Sequence, residues 1–189
     1  MEINKGIKPV SIYNSLEIIN QTRAADSIEV IYLNKECAKI TFEGGGQGTP
    51  IPDVNVGFST VQFPAWLTLT SGNYSNEPSP VTIAFWLSQS GYPNNYREII
   101  FTNPIASVSL FYASAYNVTL EAYDQSNNLI ASTAGPANYN NGYTQWDPLS
   151  IDRGNNIIKK VRVIGLLPGY TGIDDLTICR VCRGLLLEK

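Results

Sequence analysis

Short runs in which apolar and polar side chains alternate, each closed by Gly, Pro, Asn or Asp, recur along nearly the whole chain. A period of two places every second side chain on one face, a pattern that a strand can bury and a helix cannot. Ile28–Leu33, Lys39–Glu43, Val56–Phe63, Trp66–Thr70, Val81–Leu87 and Glu98–Thr102 read as strands. So do Ser107–Tyr112, Val118–Tyr123, Asn128–Ser132, Leu149–Ile151, Ile157–Ile164 and Leu176–Val181. Many are rich in β-branched and aromatic residues. In Val118–Tyr123, Val, Leu and Ala point one way while Thr, Glu and Tyr point the other, and the polar joint that follows is a hairpin signal. The one helix candidate, Asn14–Arg23, competes with a strand at Leu16–Ile19. About a dozen short strands predict an all-β fold, an antiparallel two-sheet β-sandwich of the jelly-roll kind. An immunoglobulin-like sandwich and a small barrel are the alternatives.

The 189 residues suit one domain. The expected organisation is an N-terminal arm at 1–37, a sandwich at 38–183 and a C-terminal tail at 184–189. No internal repeat is visible. No window approaches eighteen uninterrupted apolar residues, so no membrane span is expected, and no signal peptide is visible.

The chain contains no histidine. That removes serine–histidine and cysteine–histidine catalysis and the usual zinc and iron sites. Between Ile40 and Asp152 the lone cation is Arg97, among eight Asp and Glu residues from Glu43 to Asp152. Such a body repels phosphates, which argues against a nucleic acid partner. The cysteines are Cys37, Cys179 and Cys182. Zinc at the Cys179–Cys182 pair lacks two further ligands. A redox pair ordinarily opens a helix, whereas this one follows a strand-like run. A buried thiol or a structural disulfide is the reading that stands.

Several motifs occur in a telling order. They are Ile40-Thr-Phe-Glu43 with its Gly-rich loop to Asp53, Phe101 to Ser109, Val118 to Asp124, Trp146 to Ser150, and the closing Gly172 to Thr177. Together, over residues 40–178, these resemble bacterial exported jelly-roll domains of the galactose-binding and carbohydrate-binding-module type. The resemblance implies an extracellular or cell-surface protein. It also implies that the first and last sandwich strands are antiparallel neighbours, with a structural Ca2+ where they meet. Glu43, Asp53, Asp174 and Asp175 are the expected ligands, because calcium takes six to eight oxygens. The alternative is that Asp174 and Asp175 form a surface turn. The register implied by Glu43 against Asp174 brings Cys37 near Cys179 and Cys182, and a Cys37–Cys179 disulfide is preferred.

Two loops, 91–96 and 138–143, each set tyrosines four apart around a pair of asparagines. Stacking aromatics with amides suit a sugar. Tyr92, Tyr96, Arg97, Tyr139, Tyr143 and Trp146 are therefore the candidate ligand-binding residues, with packing at a sandwich edge as the competing role. Trp66 and Trp86 read as packing residues. The expected function is a noncatalytic, calcium-stabilised module that binds carbohydrate. The alternative is a structural or adhesive assembly module of a surface layer, appendage or phage tail, pairing with other protein chains through its N-terminal arm. A hydrolase using Glu98 or Glu121 has no paired carboxylate motif behind it.

Overall fold

A computed structural model describes residues 28–34, 36–70 and 72–181. Most of the expected arm, the helix candidate at Asn14–Arg23, Cys182 and the tail lie outside the described residues.

Thirteen strands are described: β1 (Val30–Tyr32), β2 (Cys37–Ile40), β3 (Val54–Asn55), β4 (Thr60–Gln62), β5 (Leu67–Leu69), β6 (Ile83–Phe85), β7 (Tyr96–Ile105), β8 (Ser107–Ser114), β9 (Val118–Tyr123), β10 (Leu129–Gly135), β11 (Asp147–Asp152), β12 (Ile158–Ile164) and β13 (Thr171–Cys179). They form two antiparallel sheets, as the alternating pattern predicts. One runs β10-β9-β12-β7-β4-β3. The other centres on β13, which pairs with β8 and through it β11 on one edge. Its other edge is shared in succession by β2, carrying β1, and by β6, carrying β5. Thus β1 and Cys37, within the segment expected to be an arm, belong to the sheet. Of the expected strand Val56–Phe63 only Thr60–Gln62 is a strand; residues 56–59 turn the chain back on β3, with Gly57 at φ 85°.

The alternation decides what each sheet buries. Val118, Leu120 and Ala122 of β9, Val161 and Val163 of β12, and Ile99 and Phe101 of β7 form one inner layer. Val108 and Leu110 of β8 join Ile173, Leu176 and Ile178 of β13 as part of the facing layer. Truncating one of these to Ala costs about 2–5 kcal/mol. Trp66 and Trp86 are fully buried, meet edge to face at 5.2 Å, and donate their indole N–H to the Glu98 and Asn94 carbonyls.

Candidate functional site

Four connections leave the sandwich at the same end. Tyr96, Ile164 and Thr119 stand in one row across β7, β12 and β9. Ser114 faces Thr171, Tyr112 faces Asp147, and Val118 faces Gly135. The loops at 86–95, 115–117, 136–146 and 165–170 therefore cluster, and a cleft of about 480 Å³ opens among them. Asn95, Tyr116, Asn117 and Thr119 supply its polar lining; Ala115, Ala137, Ile164 and Leu166 supply apolar wall. Among the described residues no charged side chain lines it. The Asn95 amide and the Tyr116 and Thr119 hydroxyls make no hydrogen bond among the described residues. Asn117 accepts from the Ala137 N–H at 3.0 Å through Oδ1, which leaves its amino group free to donate.

The two tyrosine loops border this cleft, through Asn95 on one side and Ala137 on the other. Their tyrosines have unequal roles. Arg97 is fully buried, and its guanidinium donates to the carbonyls of Ala65 (3.2 Å), Leu87 (2.7 Å), Tyr96 (2.9 Å) and Pro93. Arg97 thus ties the 86–95 loop to its base, and these four bonds leave the guanidinium little capacity for a ligand. Its burial pulls its pKa below the ordinary arginine value. Tyr92 leans over that guanidinium, 5.5 Å from ring centre to carbon, and stays 41% exposed. Tyr96 faces the other way, onto the outer surface of its sheet, where the Arg162 guanidinium lies 4.7 Å from its ring.

In the second loop, Tyr143 is buried and stacks on Tyr74 at 4.3 Å, while Trp146 donates to the Ser75 carbonyl at 3.0 Å. Backbone bonds from Tyr143 to Asn73 and from Ser75 to Tyr143 complete this clasp. Gly172 makes room for it: a Cβ there would come within 2.7 Å of the Tyr74 ring. Burial, with Tyr139 beside it, pushes the Tyr143 hydroxyl up to about 12. Tyr139 alone in this loop presents a largely exposed ring, set edge-on to Tyr143 at 4.9 Å. Tyr143 and Trp146 therefore hold the second loop in place, and Tyr139 here and Tyr92 in the first loop are the rings the two loops offer to solvent.

The four acids expected to share calcium do not gather, and among the described residues no three His, Cys, Asp or Glu side chains are placed to hold a metal. Leu176 faces Ile40 and Cys179 faces Cys37, a register one step from that of Glu43 against Asp174. Pairing ends there because the chain turns at Phe42, φ 63°. Glu43 accepts from the Thr82 N–H at 2.9 Å, and burial leaves its pKa above the ordinary value. Asp53 is exposed and accepts from Gln62 at 3.0 Å. Asp174 is fully buried where β13 exchanges β2 for β6, and receives the Ser79 N–H (2.9 Å) and the Asp175 N–H (2.7 Å). Burial, then the neighbouring Asp175, raises its pKa to about 8. Asp175 occupies a bulge opposite β8 at φ 51° and pairs with Lys39 at 2.9 Å. Its Oδ1 is buried without a hydrogen-bond partner among the described residues. One such oxygen beside an ammonium is not the six to eight that calcium takes, so the acids as placed do not fit it.

Cys37 and Cys179, opposed in the same register, are joined by a disulfide. Glu98 and Glu121, the conceivable hydrolytic acids, flank Arg162 on the outer face of the β7–β12–β9 sheet. Glu98 binds Lys160 (2.8 Å) and Arg162 (2.9 Å); burial opposes its charge, but these bonds prevail and lower its pKa. Glu121 accepts from the Tyr123 hydroxyl at 2.5 Å.

Sequence reasoning marked Asn95 only as one of the asparagine pair in its loop, and passed over Tyr116, Asn117, Thr119, Tyr74 and Tyr170. The adjacent Tyr116 and Asn117 repeat the ring-and-amide chemistry of the two tyrosine loops and were a usable signal, but nothing local tells that this turn adjoins 95 and 137.

No protein-family model matches the chain, and no curated protein matches it. Among solved structures it is similar to the K2 cleaved adhesin domain of Lys-gingipain, at 16% identity and TM-score 0.49, over 75% of this chain and 98% of that one. It is similar to TmCBM61 in complex with β-1,4-galactotriose at 14% identity and TM-score 0.42, over 75% and 94%. A third is CsCBM6-3 from Clostridium stercorarium in complex with cellobiose, at 12% identity and TM-score 0.41, over 72% and 99%. The likeness concerns the sandwich architecture.

Proposed function

We propose that this chain is a noncatalytic binding module that recognises carbohydrate at the loop end of its sandwich. The observation that carries this reading is the cleft lined by Asn95, Tyr116, Asn117 and Thr119, with unpartnered amide and hydroxyl groups beside apolar wall. Its volume lies within the range of small-molecule sites, and a sugar needs this mixture of hydrogen-bonding groups and apolar faces. Tyr92, Tyr139 and Tyr170 are exposed rings on the loops around it. The disulfide supports an extracellular setting.

The test is NMR titration of the labelled protein with a panel of neutral oligosaccharides, repeated on Asn95→Ala and Tyr116→Phe. Shifts confined to the four loops, and affinity reduced at least about tenfold in each variant, are expected. Unchanged affinity in both variants, or no shift with any saccharide, overturns the reading.

A second reading, an adhesive or assembly module, has its own observation. Leu87, Leu166, Leu167 and Tyr170 are exposed apolar side chains at this same end, a concentration that marks contact surfaces. Concentration-dependent association lost in a Leu166→Ser, Leu167→Ser variant would favour it.

A further inference from the structure

We infer that β10 is an interaction edge, at which two copies of this chain pair antiparallel about a two-fold axis, a contact that stands apart from the sugar cleft. A strand that ends a sheet carries a row of unpaired N–H and C=O groups. Proteins ordinarily blunt such a row by shortness, charge, proline or a covering segment. Here β1, β5 and β11 end one sheet, and β3 and β10 end the other. All but β10 are blunted. β1 and β3 have three and two residues, and β3 follows Pro52 and Asp53. β5 is covered by residues 48–51, which exchange backbone bonds with Trp66 and Thr68. β11 contains Pro148 and is bounded by Asp147 and Asp152.

β10 runs seven residues, Leu-Ile-Ala-Ser-Thr-Ala-Gly, without a charge or a proline. Its bulge, between Leu129 and Ala131, leaves Ala131–Gly135 in unbroken register with β9. Among the described residues the backbone of 131–135 bonds to no segment besides β9. The composition of that segment points to its partner. A two-fold axis sets an antiparallel strand against itself, so a charge would meet its own kind and a large side chain its own bulk. With the axis at Thr133, Ala131 faces Gly135, Ser132 faces Ala134 and Thr133 faces its own copy. Every opposed side chain is small and uncharged, so neither repulsion nor clash opposes the ladder. Pairing of this kind continues the six-stranded sheet into that of the second copy.

The experiment is sedimentation of the full chain from about 1 μM to about 1 mM, with hydrogen exchange at both extremes. It is run on the wild type, on the double variant Ser132→Lys, Ala134→Lys, and on Ser132→Thr. Ser132 and Ala134 are exposed, so the fold tolerates the substitutions. The wild type and Ser132→Thr are expected to move from monomer toward dimer, with amide exchange in 131–135 slowed at the higher concentration. In the double variant lysine faces lysine across the axis, and association is expected to weaken at least about tenfold. Monomer at every concentration, association that the lysines leave unchanged, or exchange in 131–135 that does not follow concentration overturns the inference. Association abolished by Leu166→Ser, Leu167→Ser and kept in the lysine variant belongs to the loop end, and overturns it as well.

Discussion

The rings of Tyr74 and Tyr143 lie stacked 4.3 Å apart, 21° from parallel, and join a loop that precedes β6 to a loop that precedes β11. The clasp fixes one wall of the loop end, and it separates two tyrosines that sequence treats alike. Tyr143→Ala removes a buried ring and is expected to cost about 3–5 kcal/mol. Tyr139→Ala, at a largely exposed ring, is expected to fall within about 1 kcal/mol. Urea unfolding of both variants checks this, and equal losses would refute the assignment.

Arg97 holds the other tyrosine loop through four carbonyls. Arg97→Met leaves those acceptors unpaired in a buried setting. The expected loss is about 3–5 kcal/mol, with amide exchange accelerated across 86–95. A variant as stable as the parent, with slow exchange in that loop, would show that the guanidinium is dispensable.

Asp174 makes stability depend on pH. Its carboxyl titrates near 8 when folded against 3.8 as the ordinary value, so between these limits the native state holds a proton that the unfolded chain has released. Stability is then full below about pH 4 and falls as pH rises through 8, by on the order of a few kcal/mol. The protonated acid can donate to the Ser79 hydroxyl at 2.8 Å, which passes its own hydrogen to the Thr41 carbonyl at 3.1 Å. Asp174→Asn should flatten the profile between pH 5 and 8. A wild-type profile already flat there would contradict the buried acid. Because Lys39 supplies the counter-charge to Asp175, melting curves in calcium and in chelator are expected to coincide.

The Cys37–Cys179 bond links positions 142 residues apart. In the chain-entropy model, closing so long a loop restricts the unfolded ensemble by ~5 kcal/mol. A Cys37→Ala, Cys179→Ala variant is expected to melt well below the parent, and reduction of the parent should reproduce the shift. Identical melting of reduced and oxidised protein would rule out a stabilising bond.

The alternation of Val118 to Tyr123, and of most other runs, already pointed to an antiparallel all-β fold, because a period of two leaves one face to be buried; that it forms two facing sheets rather than a small barrel was decided by the strand pairing. Local order along the chain also marked the 91–96 and 138–143 loops as rich in rings and amides. Which rings face water was decided by distant partners: Tyr74 covers Tyr143, and four backbone carbonyls enclose Arg97. The same holds for the acids. Strand pairing stops at Ile40, so Glu43 turns to Thr82, while Lys39, a neighbour only through the β2–β13 register, claims Asp175. Periodicity is a property of neighbours in sequence and survives without the fold. Burial, pairing and the cleft among four separate loops are contacts between remote segments, which exist only once the sheets have closed.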